Sequence, residues 1–112
     1  MNPIPIIQGA ALTDTLSVLY VAPGNDQQLK NVVVPDVRFH NTSGVDRTVT
    51  LHVVPKNGQP TLANARFKDE LIPAGMSLLF ALGDVILPGG SIQGSASVGG
   101  VVVISANGEK HP

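Results

Sequence analysis

Histidine and carboxylate side chains are the residues of this chain that could serve catalysis or metal binding. His40 and His52 lie on two neighbouring segments whose alternation predicts paired strands, both on outward faces. Asp36 and Asp46 fall on the same predicted face. A catalytic zinc site usually needs a third protein ligand, and the spacing fixes none. We therefore interpret this polar set, with His111, as solvated surface, and we predict neither a metal nor a cofactor.

Other catalytic patterns fail on the same elementary grounds. Asp69 and Glu70 are adjacent, so on a strand they point to opposite faces and cannot form an acid/base pair. The sequence has no cysteine, which excludes thiolate nucleophiles and disulfides. The glycines at 89–90 and 99–100 join predicted strands, whereas phosphate-binding loops open a helix. We predict that the chain is not an enzyme.

Charge and composition restrict the partners. The 112 residues suggest one domain, and a net charge of −1 with 13% charged residues is too neutral for a nucleic-acid binder. No apolar run is long enough for a membrane span, and prolines interrupt the N-terminal apolar stretch, which makes a poor secretion signal. Low charge with 43% hydrophobic residues predicts that part of the outer surface is covered, by self-association or by a larger body.

The clearest strand pattern is the segment 45–55. Val49, Leu51 and Val53 alternate with Thr48, Thr50 and His52, which predicts one buried and one wet face. A shorter alternation at 36–40 precedes it. The intervening Asn-Thr-Ser-Gly at 41–44 suits a turn, so the two runs predict a β-hairpin.

Connections rich in glycine and proline divide the chain into about eight short strands, with no convincing helix. Pro35 predicts an edge position or a bulge, residues 61–72 predict a loop and a short strand, and Gly99-Gly100 predicts a hairpin turn. Strands at this spacing indicate an all-β antiparallel β-sandwich or barrel. The predicted strands lie within 16–22, 29–41, 45–55, 61–72, 76–82, 85–87, 91–98 and 101–106.

An extended N-terminal arm at residues 1–10 is predicted before the sandwich at 11–107 and a polar tail at 108–112. Its prolines bar a helix, yet its isoleucines are too apolar for a solvated tail. The arm packs along its own domain or lies on a neighbouring subunit. In the second case we expect removal of residues 1–8 to weaken attachment and leave the domain folded. The candidate interface residues are Asn2, Pro3, Ile4, Pro5, Ile6 and Ile7.

The order of the segments carries a resemblance to a known family. The segments are Tyr20-Val21-Ala22-Pro23, Asn41-Thr42-Ser43-Gly44, the strand 48–55, Leu71-Ile72-Pro73-Ala74-Gly75, the stretch 87–97 and a final valine-rich strand. This order resembles small β-sandwich virion proteins of tailed bacteriophages, which include capsid decoration (cement) proteins and tail-associated proteins. The resemblance covers residues 11–107 and gives no counterpart for the arm.

The resemblance implies a jelly-roll-like sandwich that assembles on a virus particle, and it carries over no catalytic residue. The first hypothesis is a decoration protein that bridges major capsid subunits as a homo-oligomer, a dimer or trimer, on the outer capsid surface after synthesis in the host cytoplasm. A tail, baseplate or head–tail junction protein of the same fold is the alternative. A carbohydrate- or receptor-binding sandwich module is the third. None of these involves nucleic acid or membrane as a partner.

Overall fold

Strands make up nearly all of the regular structure. The computed structural model describes residues 4–23 and 31–111, with side chains as far as Glu109. Within those residues, no helix is both long and apolar enough to cross a membrane. The elements in chain order are β1 (Ile4–Ala11), β2 (Ser17–Val21), β3 (Asn31–Asn41), β4 (Arg47–Val54), a single 3₁₀ turn (Leu62–Asn64), β5 (Ala65–Ile72), β6 (Ser77–Ile86), β7 (Ser91–Ala96) and β8 (Val102–His111).

The strands form two four-stranded antiparallel sheets packed face to face. Sheet A has the order β1-β8-β3-β6, and sheet B has the order β2-β7-β4-β5. This order is that of an eight-stranded jelly roll, in which two Greek keys are wrapped into a sandwich. The predicted fold class, an all-β antiparallel sandwich of jelly-roll type, is confirmed.

Nearly every connection between described strands crosses from one sheet to the other, and β4 to β5 is the exception. β3 pairs with β6 and β8, whereas β4 pairs with β5 and β7. The predicted hairpin at residues 36–55 is therefore wrong. The hairpin turn predicted at Gly99-Gly100 is wrong for the same reason, because β7 and β8 lie in different sheets.

The buried Asn41 accounts for the crossing after β3. Its side-chain amide donates to the carbonyls of Val45 at 2.8 Å and Ile72 at 2.9 Å, and its Oδ1 accepts the Ser43 N–H at 3.0 Å and the Ser43 hydroxyl at 2.7 Å. These bonds hold the chain in a corner that leads into sheet B. Alternation of side chains shows which face is buried but not which strands are neighbours.

Two backbone irregularities change how the strands are counted. Pro35 lies inside β3, which has a partner on each side, so the predicted bulge is confirmed and the predicted edge position is wrong. Gly83, at φ +65°, lies within β6, which runs unbroken through the turn expected there. The described residues form eight strands, in agreement with the predicted number of about eight. β6 takes the place of two predicted short strands, and β1 is a strand that was not predicted.

The N-terminal segment expected as an arm is the edge strand of sheet A. β1 pairs with β8, and Ile7 is buried in the core. Pro5 is tolerated because an edge strand leaves one side of its backbone without a ladder partner. Gly108 lets the strands approach, since a Cβ there would lie 2.9 Å from Val32 Cγ1. Residues 4–10 and 108–111 thus belong to the sandwich, in contrast to the expected boundaries at 10 and 107.

The core lies between the two sheets and contains three of the four aromatic side chains. Phe39, Phe67 and Phe80 form a cluster with centroid separations of 5.0 to 6.1 Å. The fully buried aliphatic residues around them include Leu12, Leu51, Ile72, Ile92 and Ile104. Gly94 fits closely against this layer, because a Cβ there would lie 3.1 Å from Leu19 Cδ1 and 3.2 Å from Leu51 Cδ1.

Candidate docking surfaces

The predicted interface residues divide into exposed and buried ones. Asn2 and Pro3 lie outside the described residues. Ile4, with 38% of its surface exposed, and Pro5 lie at the surface, whereas Ile6 packs against the core and Ile7 is only 4% exposed. Only Ile4 and Pro5 of the described set are therefore available to a partner.

The predicted hairpin would have allowed His40 and His52 to lie near each other, but they lie on different sheets. His40 is exposed on β3 in sheet A. His52 is almost buried on β4 in sheet B, where its Nδ1 lies 2.8 Å from Asn64 Oδ1. The predicted proximity is wrong, because it rested on the hairpin. In the part of the chain that the structure describes, no group of three or more histidine and acidic side chains is arranged to hold a metal.

One end of the sandwich is closed by hydrogen bonds between its connections. This Asn41 end consists of the connections 12–16, 42–46, 73–76 and 97–101. The N–H of Thr42 donates to Val101 O at 2.8 Å, the N–H of Gly75 to Ser43 O at 3.1 Å, and the N–H of Gly100 to Leu12 O at 2.9 Å. Four separate connections are thus joined into one surface.

The opposite end, which we call the groove end, is less tightly joined in the part that the structure describes. That part consists of the connections 55–64 and 87–90 and the start of β1. Asn64 organises the first connection internally, accepting the Thr61 N–H at 2.9 Å and donating to Gln59 O at 2.9 Å. The second bonds to the end of β2, where Gly89 N–H donates to Ala22 O at 3.0 Å. Among the described residues, no hydrogen bond joins these two connections to each other.

An apolar groove of about 270 Å³ lies between these two connections. Val85 and Leu87 at its margin expose half or more of their surfaces. Arg66 on β5 and Asp84 on β6 form an ion pair of 2.8 Å beside it, which links the edges of the two sheets. The residues that line the groove are Val53, Val54, Pro55, Ala63, Asn64, Arg66, Val85, Ile86, Leu87 and Gly90.

A second depression, of about 250 Å³, lies on the outer face of sheet A. Asp36 and Arg38 of β3 lie at its centre, with Leu79 of β6 on one side and Ser105 and Asn107 of β8 on the other. Leu79 exposes more than half of its surface. This surface is polar and charged, in contrast to the groove.

The sequence identified neither surface, although weak signals were present. The run at 76–82 predicted a continuous apolar strand, yet its alternate member Leu79 is exposed. Leu87 before Pro88 was assigned to a short strand and is instead a groove residue. Each surface combines strands far apart in sequence, so the strand order was needed to see it.

Comparisons with known proteins support the fold. No protein-family model matches the chain, and no curated protein matches it. Among solved structures, a chain in the structure of infectious bursal disease virus, Gx strain, superposes with a TM-score of 0.59 at 12% sequence identity. The match covers 96% of this chain and 30% of that chain, so this chain spans less than a third of that one. At this identity the likeness establishes a shared fold, and the resemblance to virion proteins of tailed bacteriophages stays a hypothesis.

Proposed function

We propose that this protein is a structural subunit of a virion, and more specifically a capsid decoration protein that bridges major capsid subunits on the outer surface of the shell. It acts by binding, and not by catalysis, as part of a homo-oligomer. The observation that carries the proposal is the jelly-roll order of the two sheets. A chain of a virus structure has the same fold, and the match covers 96% of the chain described here. Jelly rolls are common in viral capsids but also occur in lectins and cupins.

The distribution of aromatic residues argues against the carbohydrate-binding alternative. Phe39, Phe67 and Phe80 are packed together, and Tyr20 packs against the core. All four aromatic residues of the chain are therefore unavailable as an exposed platform on which a sugar ring stacks. The groove and the depression are also lined without an aromatic ring.

The groove end supplies the proposed attachment. Ile4 and Pro5 lie there at the start of β1, and Val85 and Leu87 lie there beside the groove. β1 and β6 are opposite edges of sheet A, so one subunit presents two separate apolar contacts at the same end. Two modest contacts to neighbouring shell subunits add through avidity and oppose their separation.

Binding to particles assembled without this chain tests the attachment. We expect Ile4→Ser and Leu87→Ser each to reduce occupancy several-fold, measured by co-sedimentation, since each removes apolar contact area. Val18→Ser is the matched control, because the exposure of Val18, 55%, lies between those of Ile4, 38%, and Leu87, 62%, but Val18 lies on β2. Undiminished occupancy for both test variants, or an equal loss in the control, would contradict the proposed surface.

The number of copies per particle separates the decoration protein from the tail, baseplate or junction alternative. A protein that decorates the shell is present in on the order of hundreds of copies per particle, because shell symmetry repeats its binding site. A protein that forms a ring at the tail is present in about 6 to 12 copies. Imaging of purified particles, together with quantitative mass spectrometry, gives this number. A count in the range of a ring would contradict the decoration role and favour the alternative.

A further inference from the structure

The outer face of sheet A carries two adjacent rows of side chains with opposite properties. In the first row Arg38 of β3 pairs with Leu79 of β6 and with Ser105 of β8. In the second row Asp36 of β3 pairs with Ala81 of β6, and Asn107 is the next outward position of β8 after Ser105. The rows are two residues apart, about 6.6 Å along the strands. We call these six residues the β3 patch.

We infer that the β3 patch binds the β3 patch of a second copy of this chain across a two-fold axis. The axis runs parallel to the plane of the sheet and perpendicular to its strands, at the level of Val37. Rotation about it places the first row of one copy against the second row of the other copy. Arg38 then faces the partner's Asp36, and Asp36 faces the partner's Arg38. A self-complementary surface of this kind is what an isologous dimer requires.

The neighbouring positions match under the same operation. Leu79, which protrudes, faces Ala81 of the partner subunit, so a large side chain meets a small one on β6. Ser105 faces Asn107 of the partner subunit, so a hydroxyl meets an amide on β8. Charge, size and hydrogen-bonding capacity are therefore complementary in all three strands with one choice of axis.

The charged pair at the centre lacks strong partners within one copy. The ion pair found among the described residues joins Arg66 and Asp84, so it involves neither Asp36 nor Arg38. Within the same residues, the Asp36 carboxylate makes no hydrogen bond. The Arg38 guanidinium makes only a long contact, 3.4 Å, with the Ser77 hydroxyl. Both groups are free to pair across an interface.

The size of the face suits a dimer. Four strands at a spacing of about 4.8 Å, each about 30 Å long, give a face of roughly 600 Å² before side-chain relief is counted. A standard interface buries about 800 Å² per partner. The depression of about 250 Å³, lined by members of both rows, faces its counterpart across the axis and leaves room for the Arg38 and Asp36 side chains of the two copies to meet.

Charge reversal on the 112-residue chain tests the inference, with mass measured by light scattering after gel filtration. We expect wild type to be a dimer. Asp36→Arg places like charges in opposition, and Arg38→Asp does the same with the opposite sign, so each variant dissociates at least ten-fold more readily. An equimolar mixture of the two variants restores complementary charges, so the mixture is dimeric. Circular dichroism confirms that both variants are folded.

Lys68→Glu is the control, because Lys68 is an exposed charge on β5 in sheet B. Its association should equal that of wild type. A monomeric wild type, single variants that still dimerise, or a mixture that stays monomeric would each overturn the inference. The measurement uses no particles, so it fails or succeeds independently of the proposed role on a virion.

Discussion

Each end of the sandwich contains a buried polar group, and the two groups differ in how many hydrogen bonds they make. At the Asn41 end, the side chain of Asn41 makes four hydrogen bonds and joins three parts of the chain. Towards the groove end, the hydroxyl of Tyr20 on β2 is buried without a hydrogen-bond partner among the described residues. The connections of the first end are joined to one another by hydrogen bonds, whereas the described connections 55–64 and 87–90 of the second end share none with each other.

This difference leads us to assign stability mainly to the Asn41 end and binding mainly to the groove end. A buried polar group with all its partners specifies one arrangement of the connections. An end whose described connections 55–64 and 87–90 share no hydrogen bond keeps apolar surface, such as Leu87 and the groove, accessible to another protein. We therefore expect substitutions at the Asn41 end to affect stability most, and substitutions of exposed residues at the groove end to affect binding.

The first prediction, among the largest effects expected of a single substitution, concerns Asn41→Ala. The substitution leaves the carbonyls of Val45 and Ile72 without their donor and the corner after β3 without its anchor, so we expect the free energy of unfolding to fall by about 3 kcal/mol. Chemical denaturation measures this value. Gln8→Ala, at an exposed position of β1, should change it by less than about 0.5 kcal/mol. A loss below about 1 kcal/mol for Asn41→Ala would contradict the role assigned to this end.

The second prediction concerns the start of β1 and compares two isoleucines of one strand. Ile7 is buried, so Ile7→Ala should cost about 2 to 4 kcal/mol of unfolding free energy. Ile4 is partly exposed at the groove end, so Ile4→Ala should cost less than about 1 kcal/mol. Thermal and chemical unfolding of both variants provide the test.

Equal costs at the two positions would show that β1 does not pack as described. Because β1 is part of the sandwich, we no longer expect the domain to stay folded when residues 1–8 are removed. Their removal deletes Ile7 and uncovers one side of β8, so the truncated chain should be severely destabilised.

The sequence predicted where most strands lie, but it did not predict how they pair. Alternation and turn residues located most strands, because the period of two is a local property of the chain. The pairing of β3 with β6 and β8 depends on contacts between distant residues, such as those of Asn41, and no local pattern contains them. Residues 1–10 were predicted as an extended arm, and the alternative that the arm packs along its own domain is confirmed for residues 4–10. The pairing of this segment as a strand was not predicted, because its prolines argued against sheet interiors, whereas an edge strand accepts a proline.

The candidate surfaces were less predictable than the strands. Asp36, Leu79 and Ser105 belong to three strands, and they become neighbours only through the strand order of sheet A. The sequence could identify each as outward-facing or apolar, but it could not bring them together. Composition predicted, without a location, that part of the outer surface is covered. The structure shows exposed apolar side chains such as Leu79 and Leu87, and what covers them stays a proposal.

The smallest expected effect is that of Tyr20→Phe, which removes a buried hydroxyl that has no hydrogen-bond partner among the described residues. A buried polar group without a partner destabilises the folded state, so we expect the free energy of unfolding at neutral pH to rise by about 1 kcal/mol or less. A clear loss of stability would mean that the hydroxyl has a partner after all.

The pH dependence of stability sharpens this last prediction. Burial raises the pKa of Tyr20 above its ordinary value, because desolvation disfavours the phenolate. Above the ordinary tyrosine pKa the unfolded chain releases this proton while the folded chain retains it, so stability is lost as the pH rises towards the folded pKa. The advantage of Tyr20→Phe over wild type should therefore widen in alkaline solution. Tyr20 is the single tyrosine of the chain, so tyrosinate absorbance reports its titration directly. A constant difference between the two proteins across the alkaline range would contradict the raised pKa.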